Sequence, residues 1–325
     1  MRAMTVAVTG AGAVDWLLDS DPAIRWQVLR DVVDAPAEVV AAERARVANE
    51  GWGARLLGLQ GDDGQWAGGA CFPARSVNWR AENQGQPWTA TLPTLQLLRE
   101  FGIDPSSDQV RRSVGLVREH CRWEHAGQPF FSGEVEPCIN GRTVALGAYF
   151  HQDVDGVVAR LLGEQLEDGG WNCEAPKSVR SSYHTTICVL EGLLEYEGAA
   201  GPTPATAEAR RRGEEYLLER GLFRRRSTGE VADPAFLTFG FPPRYRYDVL
   251  RALDYFRAAG IRPEARMSDA VQVVESRRQA DGRWLLDRSA NEALAFPFME
   301  SVGEPSRWNT LRAVRVLRWY EQSER

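Results

Sequence analysis

Three stretches of the chain repeat one short pattern: Gln60-Gly-Asp-Asp-Gly64-Gln-Trp66, Gln165-Leu-Glu-Asp-Gly169-Gly-Trp171 and Gln279-Ala-Asp-Gly282-Arg-Trp284. Each follows a run that reads as the end of a helix. Asp favours the turn and Gly accepts the left-handed backbone that closes a helix. The Trp is then free to pack on the neighbouring repeat, and the Gln to hydrogen-bond backbone groups left open at the helix end. A unit recurring in this way builds an array in which each copy buries the face of the next.

A second series interleaves with the first. Apolar helical stretches begin near Ile24-Arg-Trp26, Trp88-Thr-Ala-Thr91, Arg142-Thr-Val-Ala145, Tyr183-His184-Thr-Thr186, Tyr245-Arg-Tyr247-Asp and Arg307-Trp308-Asn-Thr310. Charged amphipathic stretches lie between them, at roughly 37–60, 108–121, 153–165, 206–220 and 267–279, with 13–18 as a possible sixth. The apolar series reads as inner helices and the charged series as outer helices. The Gln-Gly-Trp turn is lost near 121–131 and 221–231, where longer, irregular connections are expected.

The pattern resembles the QW-type repeats of terpenoid cyclases and protein prenyltransferase β subunits. That resemblance implies an all-α fold, a single (α/α)6 toroid over residues 13–325 preceded by an N-terminal tail, 1–12. One closed ring would use a length that could otherwise hold two domains.

Composition enters mainly by exclusion. A formal net charge of −6 gives no broad basic field, so no nucleic-acid partner is expected. No apolar run reaches the roughly 18 residues of a membrane span. The apolar part of the N-terminus is too short for a secretion signal, and Gly10-Ala-Gly12 lacks the rest of a dinucleotide fingerprint. Five cysteines in a large chain suggest a reducing, cytoplasmic location. Lys177 is the single lysine, so any Schiff base would have to use it.

In a toroid, the N-terminal ends of inner helices surround one mouth of a central cavity. One such mouth carries Glu134-Val-Glu136-Pro-Cys138, the next Tyr183-His184-Thr185. The turn Trp171-Asn-Cys173-Glu174 reaches the same rim. Carboxylate, thiolate and imidazole together suit Zn2+, which takes O, S and N ligands tetrahedrally.

Here the resemblance to prenyltransferase β subunits bears on chemistry. Their Asp-x-Cys pair and Tyr-His-Thr segment hold a catalytic zinc that activates a thiolate. Glu136-Pro-Cys138 is similar to the first, with Glu for Asp, and Tyr183-His184-Thr185 to the second. The resemblance therefore implies Glu136, Cys138 and His184 as zinc ligands, with Cys173 as a further candidate. Lanthionine-forming cyclases also join a toroid to a Cys/Cys/His zinc site, which Cys138, Cys173 and His184 would imitate. Tyr183 would polarise or protonate a substrate group. Arg246 and Arg307, at inner-helix starts, would hold an anionic group by charge-assisted hydrogen bonds.

Other family features are missing. The segment 128–133, before Glu136, lacks the basic residues that hold a prenyl diphosphate. The nearest approach to the acid motif of class II cyclases, Asp153-Val-Asp155, falls on an outer helix, where Asp153 reads as a cap. His120, Cys121 and His125 form a second small cluster outside the ring. Abundant aromatics, among them Trp26, Trp88, Trp308 and the groups at 236–241 and 296–298, either line an apolar cavity or fill the interior. The expected function is a zinc-dependent enzyme that activates a thiol, water or oxygen group of a small, largely apolar substrate. The alternatives are a metal-free terpenoid cyclase or isomerase, and a non-catalytic binding or scaffold protein.

Overall fold

The structure, a computed structural model, describes residues 11–74, 87–289 and 294–323. Gly10 and most of the segment read as a tail lie outside them. Among the described residues the chain is all-α. Its helices are α1 (Ala11–Leu18), α2 (Pro22–Asp31), α3 (Ala37–Ala45), α4 (Gly51–Leu57), α5 (Thr91–Glu100), α6 (Asp108–His120) and α7 (Pro137–Tyr149). They continue as α8 (Asp155–Gly163), α9 (Tyr183–Ala200), α10 (Pro204–Leu218), α11 (Val249–Ala258), α12 (Ser268–Ser276) and α13 (Arg307–Ser323). This alternation of buried and one-sided helices fits the α/α toroid class. No helix among the described residues is long and apolar enough to cross a membrane.

Burial separates the two series as their composition demands. Helix α7 is buried on every side, from Pro137 through Ala148 with one exception, Ile139. Helix α6 buries one stripe, Val110, Val114 and Val117, at helical spacing. The outer stretch read over 37–60 is divided. A short 3-10 turn follows α3 and α4 restarts at Gly51, where the Trp52 N–H donates to the Asp21 carboxylate at 2.8 Å.

The three repeated turns fold alike. Gly64, Gly169 and Gly282 adopt φ of +75°, +97° and +81°, a region that other residues enter only at a cost. Trp66, Trp171 and Trp284 are fully buried. Their indole N–H groups donate to Leu56 O, Leu161 O and Val274 O at 2.6, 2.7 and 2.7 Å. Their backbone N–H groups donate to the hydroxyls of Thr91, Thr186 and Thr310 at 3.2, 3.1 and 3.0 Å. Each Trp thus ties the amphipathic helix before it to the buried helix after it. Gln60 and Gln165 reach further, donating to Ser113 O of α6 at 2.9 Å and to Ala209 O of α10 at 2.8 Å. Gln279 stays within its own turn, on Arg277 O. Where the pattern is lost near 121–131, Trp123 stacks flat on Phe130 at 5.0 Å and donates to its carbonyl.

The chain forms two compact units. One comprises Met1–Trp52, Leu217–Ala290 and Phe298–Arg325, the other Gly53–Tyr216 and Asn291–Pro297. In the first, buried helix α13 packs on both α2 and α11. Arg315 of α13 donates to Gln27 at 2.7 Å and pairs with Asp31, while Asp254 pairs with Arg257 at 2.8 Å. Burial by itself would raise the Asp31 and Asp254 carboxyls. The Arg30 hydrogen bond and Arg315 charge on Asp31, and the Arg257 and Arg315 charges on Asp254, instead hold both below the usual carboxylate range. A depressed folded-state pKa contributes stability above the unfolded value that is lost as pH falls through the folded one. The melting temperature is therefore expected to fall below about pH 4, with a shallower fall in Asp31→Asn. A slope unchanged by Asp31→Asn would show that this pair contributes nothing.

In the second unit, α7 packs on α5 and, most extensively, on α9. The α7–α9 approach is set by glycine. A Cβ on Gly141 would fall on the Cys188 carbonyl, and one on Gly192 on the Gly141 carbonyl. Alanine would favour an isolated helix by about 1 kcal/mol. Here Gly192→Ala is expected to destabilise by about 1–3 kcal/mol, because it forces two backbones apart. Denaturant unfolding measures this, and unchanged stability would contradict the close crossing.

Candidate functional site

The site begins with the local chemistry of one helix start. The apolar pattern places this start near Arg142, but α7 opens at Pro137, with Glu136 as its N-cap residue. Proline suits the first helical position because its missing N–H would be unpaired there anyway. Cys138 therefore sits in the first turn of α7, where the helix dipole favours a thiolate. The segment before it is pinned from two sides. Asn140 brackets Glu134, accepting from its N–H at 2.7 Å and donating to its carbonyl at 2.8 Å. Arg160 of α8 donates to Glu134 O and Val135 O at 2.6 and 2.9 Å.

Cys173 arrives from the turn after Trp171. Asn172 closes that turn, donating to Arg180 O at 2.7 Å and accepting from Glu174 N at 2.9 Å. The Cys173 sulfur lies 3.4 Å from the Thr185 hydroxyl of α9. Close packing of α7 on α9 brings this turn to the start of α7.

The result is one group of donors. Glu136, Cys138 and Cys173 place a carboxylate oxygen and two sulfurs within 4.8 Å of one another. Cys138 is 9 % exposed and its thiol lies 3.5 Å from Glu136 Oε2. Neither cysteine is in a disulfide. A hydrogen bond from the Cys138 thiol, opposed by burial and aided by Thr185, brings Cys173 down to about 7. The same hydrogen bond, together with burial, pushes Cys138 up. Two sulfurs and a carboxylate suit zinc, whose structural and catalytic sites draw on this donor set.

Other residues singled out by sequence fall as follows. Glu134 is buried but turns to the Glu136 N–H, which donates to it at 2.9 Å, and it does not join the donor group. His184 is half-buried in the first turn of α9, beside Thr185, and is not one of the three converging donors. Tyr183 opens α9 and meets Tyr216 edge-on, with ring centroids 5.6 Å apart. Arg246 and Arg307 belong to the other compact unit. There Arg307 lies 3.4 Å from Glu300 and stacks over Trp16 at 4.4 Å, and Arg246 lies 5.9 Å from the Tyr245 ring.

Cys121 is fully buried and its thiol is pushed up to about 12 by burial, so it is a core residue. His120 and His125 are exposed and form no donor group with it. Asp153 accepts from the Asp155 N–H at 3.0 Å, a turn contact that helps to start α8. Many aromatics are packed on one another, as Phe241 is stacked on Trp308 at 4.3 Å. Sequence reasoning missed Thr185 as a neighbour of Cys173, and no spacing rule would have signalled it.

No protein-family model matches the chain. A 65-residue stretch, 20 % of the chain, is 32 % identical to non-reducing polyketide synthase albA of Aspergillus niger and of Aspergillus brasiliensis. The match spans only 3 % of the length of those relatives. Among solved structures, a protein from Actinoplanes is similar over 99 % of this chain and 100 % of its own, with 17 % identity and a TM-score of 0.46. A variant of the type II terpene cyclase MstE from Scytonema, in complex with merosterolic acid A, covers 94 % of this chain and 88 % of its own, with 14 % identity and a TM-score of 0.42. A second MstE variant, in complex with geranylgeranyl dihydroxybenzoate, covers 93 % and 87 %, with 14 % identity and a TM-score of 0.42.

Proposed function

We propose that the protein is a zinc-dependent enzyme whose metal is held by Glu136, Cys138 and Cys173. The observation that carries this reading is the convergence of one carboxylate and two thiols from separate segments. Three protein donors leave a fourth tetrahedral position for substrate or water, the arrangement of a catalytic site. Zinc bound there would supply Lewis-acid activation of a thiol, water or oxygen group. Tyr183 is proposed to polarise or protonate the reacting group, and His184 to stand beside the open position. The substrate class, small and largely apolar with at most one anionic group, follows the resemblance of the repeats to prenyltransferases and terpenoid cyclases.

The test is metal content followed by a probe of the open position. Protein purified without chelator is expected to carry about one zinc per chain. Co2+-substituted protein should show thiolate-to-metal absorption that changes when an alkanethiol is added. Metal-free protein that turns over substrate would replace this reading with a metal-free cyclase or isomerase. A cobalt spectrum indifferent to thiols would make the centre closed and structural.

A further inference from the structure

A buried cation stands on the helix whose start carries two of the three donors. Arg142 lies one turn beyond Cys138 on α7, on the same helix face. It is only 5 % exposed. Its Nε donates to Cys138 O at 3.2 Å and its Nη1 to Gln96 Oε1 of α5 at 3.5 Å. Both partners are neutral, and among the described residues no carboxylate pairs with Arg142. Two other buried arginines do have one: Arg315 pairs with Asp31, and Arg312 lies 3.8 Å from Asp248. A buried guanidinium without a counter-charge is costly, so its counter-charge must come from elsewhere.

The donor group supplies it. One carboxylate and two thiolates carry three negative charges against the two positive charges of zinc. A single negative charge is left on a group whose carboxylate is exposed and whose sulfurs are partly buried, where Coulomb interactions are stronger than in bulk water. Arg142 is the buried cation anchored to the backbone of one of the thiols. Gln96 fixes the far side of the guanidinium from a neighbouring helix.

We propose that Arg142 is a positioning residue of this centre: it neutralises the Glu136–Cys138–Cys173 metal complex and holds the Cys138 turn in place. The inference rests on the metal reading and adds to it. A complex neutralised from within the protein needs no anionic ligand for charge balance, so the open position is suited to a neutral ligand such as a thiol or water.

Zinc affinity, measured by chelator competition on the full chain, tests the proposal. Arg142→Met is expected to weaken zinc binding about ten- to hundredfold, the usual effect of losing a partner behind the ligands. Arg142→Lys, which keeps the charge, should lose no more than about threefold. Arg142→Gln, neutral and polar, gives the same readout as Arg142→Met should the latter not fold. Circular dichroism of each variant separates loss of the site from loss of the helices. Wild-type affinity in the neutral variants overturns the proposal. So does an equal loss in Arg142→Lys, which would mean that shape rather than charge matters. A wild-type protein without zinc affinity fails earlier and overturns the metal reading itself.

Discussion

Cys138→Ala and Cys173→Ala are each expected to strip zinc from the purified protein while leaving its helices folded. Each removes one thiolate from a group whose donor atoms lie within 4.8 Å of one another. Zinc in thiolate-rich sites binds with about 10–16 kcal/mol, so one ligand of a few is worth roughly 3 kcal/mol, on the order of a hundredfold in affinity. Glu136→Gln should lose less, because a neutral amide oxygen keeps a donor atom in place. His184→Ala should also lose less than either thiol variant, because its ring is not among the three converging donors. The helices should survive because the repeats, not the metal, hold them. Elemental analysis and circular dichroism decide the matter together. Full zinc content in both cysteine variants would sink the site, and global unfolding in both would make it a folding element.

Trp171→Ala is the second large effect. The side chain is wholly buried, and its indole N–H donates to Leu161 O at 2.7 Å. Its ring fills the space against Gly213, where an added Cβ would lie 2.9 Å from it. Truncating a buried Trp costs about 3–5 kcal/mol, here a fall of roughly 10 °C in melting temperature. Trp171→Phe retains most of the buried ring but leaves the Leu161 carbonyl without its donor. A loss of about 1–3 kcal/mol is expected. Trp66→Ala and Trp284→Ala should behave like Trp171→Ala, because their indoles make the same bond to α4 and α12. Melting curves measure all four variants. Unchanged melting in Trp171→Ala would mean that this turn does not tie α8 to α9.

Much of the architecture was legible because it is local. The alternation of apolar and amphipathic stretches named the buried helices α2, α5, α7, α9, α11 and α13, and the Asp-Gly turns marked where outer helices stop. Errors arose where a local signal was read too coarsely. Pro137 moved the start of α7 ahead of its apolar run, and Gly51 divided the first outer stretch. The tie between each Trp and a threonine of the following buried helix was not foreseen, since no periodicity encodes a backbone-to-hydroxyl bond.

By itself the sequence determined the all-α class and the repeated Gln-Gly-Trp turns, and through the resemblance it offered Glu136, Cys138 and His184, with Cys173 as a further candidate, as ligand residues. Helix periodicity and turn chemistry suffice for the class and the turns, because each acts over a few neighbouring residues. Only the tertiary structure decided which donors converge, that His184 stands outside their group, and that Arg142 is buried against Cys138 with no carboxylate partner among the described residues. These depend on how closely α7 approaches α9. That distance is set by two glycines, Gly141 and Gly192, whose missing side chains let two backbones touch.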